Sequence, residues 1–181
     1  MAYARLATAA AYLMVAAFSA GCVNHPSSKP TGVCQPQQLS AEVSGPEGTG
    51  GPAEYRITIR DEDTACSLHG APTMLEGVER SGQVVDVSTT PLTKDWIAAT
   101  TTGKAANLTQ GASADVILLT GIACPAAQRP TPNQTFGSLR LGIGTGALDI
   151  PFGQGPDPSD HTITLPCDVA MSKFYASYPS N

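Results

Sequence analysis

Charge is scarce in this chain. Of its 181 residues only 14% are Asp, Glu, Lys or Arg, 6% are aromatic, and there is one tryptophan, Trp96. The lysines and arginines are scattered and the net charge is −5, so no basic stripe is available to follow a phosphate backbone. Nucleic acid and polybasic attachment to anionic lipid are both excluded on that ground. Signatures of nucleophilic chemistry are missing too. There is no G-x-S-x-G elbow for a serine hydrolase, and His69 and His161 stand near no diagnostic serine motif. No C-x-x-C occurs, which argues against thiol exchange. Thr100 to Lys104 (T-T-T-G-K) lacks the first glycine and the closing Ser/Thr of a phosphate loop and reads as a turn. Long runs with helical periodicity are few. The sequence therefore predicts no enzyme and no cofactor.

What is abundant is turn chemistry. Gly 18 and Pro 15, with many Thr and Ser between short alternating segments, predict an all-β protein. The segment around which the rest is built is Ala53 to Pro72. Tyr55, Ile57 and Ile59 alternate there with Arg56, Thr58 and Arg60, the period of a strand with one wet face.

Ahead of this body, Leu6 to Ala20 is an apolar run preceded by Arg5, too short to span a bilayer and flanked like an export signal. It ends in Phe18-Ser19-Ala20-Gly21-Cys22, similar to a bacterial lipobox, in which the cysteine is lipidated and becomes N-terminal. Ser19 departs from the aliphatic residue usual at that place, and the alternative is ordinary cleavage after Ser19 or Gly21, giving a secreted protein. The cysteine count supports the lipid: five cysteines are awkward in an exported chain, and using Cys22 leaves Cys34, Cys66, Cys124 and Cys167. Residues 1–21 then form the signal, 22–33 a Pro/Ser/Gly tether carrying His25, and 34–181 the folded domain. The address predicted is the outer face of the cytoplasmic membrane, with the lipid as the membrane contact.

Gln38 to Ser44 alternates weakly and is followed by the loop G-P-E-G-T-G-G-P, so it should pair as a hairpin with residues 53–60. If residue 44 lies near residue 53, Cys34 and Cys66 approach one another, and of the three pairings four cysteines allow, Cys34–Cys66 with Cys124–Cys167 is favoured. Each bridge would contribute roughly 3.5 to 4 kcal/mol in a chain-entropy account.

Further strands are predicted at Met74–Val78 and Gln83–Ser88, joined by the turn E-R-S-G and stopped by Pro91, and Trp96-Ile97-Ala98 reads as a short strand with Trp96 in the core. Ala114 to Ile122 is the most apolar run outside the signal and reads as a central strand buried on both faces. Leu139, Leu141 and Ile143 alternate, G-T-G turns the chain, and Leu148 to Phe152 returns. Thr162 to Pro166 leads to Cys167, and Val169, Met171 and the stem of Lys173 line a last strand.

The motifs C-S-L-H-G-A-P (Cys66 to Pro72) and N-L-T-Q-G-A-S-A-D-V (Asn107 to Val116), with Cys124, the strand S-L-R-L and a closing Cys167, resemble an actinobacterial family of exported domains of unknown function. The similarity covers about Cys34 to Phe174. It implies an immunoglobulin-like antiparallel β-sandwich with two disulfides, frequent attachment as a lipoprotein, and no activity or active site to carry over.

The function predicted is binding without catalysis, the partner being an envelope protein, a glycan or a small ligand. The alternative is capture of a metal or small ligand by Asp157, Asp160 and His161 in one glycine-proline loop. Asp61, Glu62 and Asp63 form the other acidic cluster, and neither cluster has calcium-loop spacing. An envelope hydrolase is the third reading.

Overall fold

The computed structural model describes residues 32–47, 53–61, 65–92, 106–109, 112–120, 134–152, 162–165 and 169–177. Apart from a 3-10 turn at Pro36–Gln38, every regular element among them is a strand, so the chain is all-β as its composition requires.

One sheet has the order β1 (Leu39–Glu47), β2 (Ala53–Asp61), β8 (Ser113–Thr120), β13 (Val169–Met171) and β6 (Thr89–Pro91), with β14 (Tyr175–Ala176) also pairing with β8. A second has the order β11 (Gly146–Pro151), β10 (Ser138–Ile143), β4 (Leu75–Val78) and β5 (Val84–Asp86). Two short pairs complete the fold, β9 (Gln134–Phe136) with β12 (Ile163–Leu165), and β3 (Cys66–Leu68) with β7 (Ala106–Leu108). All four contribute to a single core that includes Ile57, Ile59, Leu68, Leu118, Phe136, Leu139, Ile150 and Val169. Fully burying an aliphatic or aromatic side chain of this kind stabilises by roughly 1.5–3 kcal/mol, and this cluster is the principal source of stability.

The alternation of β2 works as its sequence dictates: Tyr55, Ile57 and Ile59 are buried while Arg56, Thr58 and Arg60 face outward. β8 is central, hydrogen-bonded to β2 on one side and to β13 and β14 on the other, and from Ala114 to Thr120 is buried on both faces except at Ile117. The hairpin of β10 and β11 turns through Gly144 and Thr145, and the positive φ it needs, 60°, falls on Gly144, which has no Cβ to resist it. Within β4, a Cβ on Gly77 would run into the ring of Phe136, so glycine leaves the slot that ring occupies.

β5 and β6 are successive parts of one edge segment. Residues 84–86 pair with β4 in the second sheet and residues 89–91 pair in parallel with β13 in the first, so a single stretch borders both sheets. Val85 and Val87 along it pack on the core.

Several expectations are corrected. The hairpin register places Ser44 opposite Arg56 rather than near Ala53, and after a bulge between Ser44 and Glu47 it is Glu47 that lies opposite Glu54. Pro91 ends a strand, but not the one expected: β5 finishes at Asp86, and Pro91 closes the separate strand β6, an edge position where its missing N–H is no loss, with Leu92 N donating to Met171 O just beyond it at 2.9 Å. Lys173 is exposed rather than lining the last strand, and Phe174 enters the core in its place. β6, β7 and β9 are three-residue strands that the sequence pattern does not reveal.

Cys34 and Cys66 form the expected disulfide, their Cα atoms 4.9 Å apart. The route differs from a simple prolongation of the hairpin. Beyond Leu39 the chain makes the 3-10 turn, and Val33 then pairs in parallel with Ser67, Ser67 N donating to Gly32 O at 2.9 Å and Cys34 N to Ser67 O at 3.2 Å. The bond thus fastens the chain entering β1 to β3 of another sheet. Cys124 and Cys167 lie outside the described residues, as do Cys22, His25, Trp96 and the loop with Asp157, Asp160 and His161.

Candidate functional site

Alternation on β2 and β8 turns Glu54, Arg56, Thr58, Asp115 and Ile117 to the face away from the core. Strand register then lines up one row across four strands. Glu42 of β1 faces Thr58, Thr58 faces Asp115, and Asp115 faces Tyr175 of β14. Asp115 is only 4% exposed, and its Oδ1 accepts a hydrogen bond from Thr58 Oγ1 at 2.8 Å. A carboxylate so enclosed requires such a partner.

Tyr175 reaches this row because of a bulge. β13 pairs Met171 with Leu118, whereas β14 pairs Tyr175 with Asp115, so one strand advances a residue further than the other. Ser172 stabilises the irregularity: its N–H donates to Ile117 O at 2.9 Å, and its hydroxyl accepts from Ile117 N at 2.8 Å while donating to Lys173 O. A one-residue shift moves every following side chain to the opposite face. The bulge therefore sends Phe174 inward and Tyr175 outward to Asp115.

Arg56 lies beside them, its Nη2 3.5 Å from Glu54 Oε1. Burial works against its charge, but Tyr175, Asp115 and Glu54 outweigh that effect and hold the guanidinium above its ordinary range. Its Nε is buried without a hydrogen-bond partner. The Tyr175 hydroxyl is pushed up to about 12, first by burial and then by Asp115, against the opposing influence of Arg56. Such a phenol keeps its proton at neutral pH. In that state its hydroxyl is available as a hydrogen-bond donor.

The outer face of the second sheet carries another row, Asp149, Arg140, Glu76 and Asp86 in successive strands. Arg140 Nε donates to Asp149 Oδ1 at 2.7 Å, and its Nη1 is 3.8 Å from Glu76 Oε2. The hydrogen bond and charge of Asp149 hold Arg140 above its ordinary value, with Glu76 adding to them.

Of the residues the sequence singles out, Cys34 and Cys66 are brought together, His69 is exposed, and Asp61 is buried at the end of β2. Glu62 and Asp63 lie outside the described residues. Among the described residues no three His, Cys, Asp or Glu side chains gather in a way that could hold a metal ion. Sequence reasoning missed the row through Asp115. The signal available was that one acidic residue inside an otherwise apolar run; Tyr175 gave none, because its direction depends on the bulge. No family model, curated protein or solved structure matches the chain.

Proposed function

We propose that this chain is an exported lipoprotein whose all-β body binds a partner at the outer face of the cytoplasmic membrane. In this reading residues 1–21 are removed, Cys22 carries the lipid, residues 22–33 are the tether, and the domain from Cys34 is an immunoglobulin-like sandwich of the actinobacterial exported type its motifs resemble. Cys124 and Cys167 form its second disulfide. The role is recognition rather than catalysis.

The observation that carries the reading is the Cys34–Cys66 bond, 1% and 3% exposed, because a structural disulfide belongs to an oxidising compartment. That bond and the lipobox-like Phe18 to Cys22 are what support the proposed address. The binding role rests on the half-buried cluster of Arg56, Thr58, Asp115 and Tyr175 on the outer side of the sheet, which offers donors and acceptors on paired strands and a tyrosine that stays protonated.

Crosslinking in the native cell followed by mass spectrometry tests the role: crosslinks from the outer face of β2 and β8 to an envelope component support it, and none at all overturns it. A Cys22→Ala variant tests the anchor. It should leave the detergent phase for the aqueous one, and unchanged partitioning would remove the lipid from the proposal.

A further inference from the structure

The margins of the two larger sheets are not equally protected. β1 is bent by its bulge, carries Pro46 and lies against β11. β11 ends on Pro151 and packs against the 3-10 turn at Pro36. β6 ends on Pro91. Bulges, prolines, covering elements, short length and charged side chains are the devices that keep a sheet edge from pairing with another chain. β5 is short and carries the charge of Asp86, but among the described residues it has neither a bulge nor a proline.

Its hydrogen bonding shows which groups are left open. Glu79 N donates to Gln83 O and Val87 N to Leu75 O, each at 2.9 Å, so Gln83, Val85 and Val87 turn their main-chain groups toward β4. In an antiparallel ladder the alternate residues turn theirs away. Val84 and Asp86 thus present their N–H and C=O groups to the outside of the sheet. Val84 is also 42% exposed, one of two large apolar side chains in that condition among the described residues.

The side chains point to a class of partner. Asp86 lies directly across from Glu76, and because Leu75 and Val87 are the bonded pair, Asp86 and Glu76 form the closer, non-bonded kind. Like charges so placed repel. Arg140 reaches Glu76 at 3.8 Å from the far side and is hydrogen-bonded to Asp149, and no described cation pairs with Asp86. A cation arriving from the open side would meet Asp86 first and relieve that repulsion.

We propose that β5 is a docking edge for an extended, basic polypeptide segment, which adds as a strand along Val84 to Asp86 with a lysine or arginine facing Asp86 and an apolar residue two positions on, covering Val84. The added strand runs antiparallel, so its motif reads basic, any residue, apolar. Strand addition supplies affinity through the main chain and specificity through alternate side chains. This edge lies on a different sheet from the Tyr175 cluster, and the proposal stands whether or not that cluster binds anything.

The test uses the full chain with a synthetic peptide repeating Lys-Thr-Val-Thr, which places lysine and valine on one face, and a counterpart with glutamate for lysine. Amide exchange at Val84 and Asp86 should slow by about tenfold or more with the basic peptide only. Asp86→Lys should reverse the preference, and Val84→Pro should abolish protection while β2 and β8 amides exchange as before. If the proline variant does not fold, the Asp86→Lys reversal decides. Equal protection by both peptides, protection elsewhere, no protection, or self-protection that grows with protein concentration alone, which would mean a second copy on this edge, each overturns the proposal.

Discussion

Tyr175 faces Asp115, not Ala114, because Ser172 holds a one-residue bulge between β13 and β14. A single hydroxyl thus decides which of two aromatic neighbours enters the core and which joins the polar row.

Ser172→Ala tests that statement. Ser172 is 1% exposed and its hydroxyl is the acceptor for Ile117 N. Removing it leaves a buried N–H unsatisfied, at a cost of about 1–3 kcal/mol. Urea denaturation should show that loss, and the Tyr175 ring resonances should shift as the bulge relaxes.

The raised Tyr175 value carries a pH dependence with a definite sign. The folded state holds the phenolic proton to about 12, whereas an unfolded tyrosine releases it near pH ~10. Stability from this group is therefore complete below the lower value and is lost as pH rises through the upper one. Burial is the larger cause and Asp115 the next, so Asp115→Asn should lower the Tyr175 titration midpoint without returning it to the unfolded value. Ultraviolet phenolate titration of the variant and parent chains measures both midpoints.

Gly77→Ala places a methyl group against the Phe136 ring, which is 1% exposed and has no free side to move toward. Overpacking of this kind destabilises by roughly 1–3 kcal/mol. A fall in thermal midpoint is expected, and a Gly77→Ala, Phe136→Leu double variant should recover part of it.

Cys34→Ala should destabilise by about 2–4 kcal/mol, the usual effect of losing a disulfide in a domain of this size. Calorimetry of parent and variant with and without reductant checks it, since reductant should affect only the parent if no second bridge is present. A residual effect on the variant, together with protected thiols at Cys124 and Cys167 by mass spectrometry, would place the second bond.

Much of the fold is legible in the chain because period-two alternation is a local property. β2, β10 and β11 declare themselves through Ile57, Leu141 and Ile150, and β8 through its unbroken apolar run. The pairing of Cys34 with Cys66 was legible for a partly mistaken reason: the hairpin brings the two regions near, but a 3-10 turn and a parallel bridge through Val33 and Ser67 bring the sulfurs together. Three-residue strands such as β6 and β7 are too short to show a period, and their pairing is decided by partners far away in sequence. The polar row was hidden for the same reason. Glu42, Thr58, Asp115 and Tyr175 are neighbours only once three registers and a bulge are fixed.

The bond from Cys34 to Cys66 closes a loop of sequence separation 32 that contains the whole hairpin of β1 and β2. A pull on the chain upstream of Cys34 is handed through the sulfurs straight to β3, bypassing that hairpin. Under tension, the strands carrying Glu42, Arg56 and Thr58 are spared the load, and the polar row across them keeps its shape.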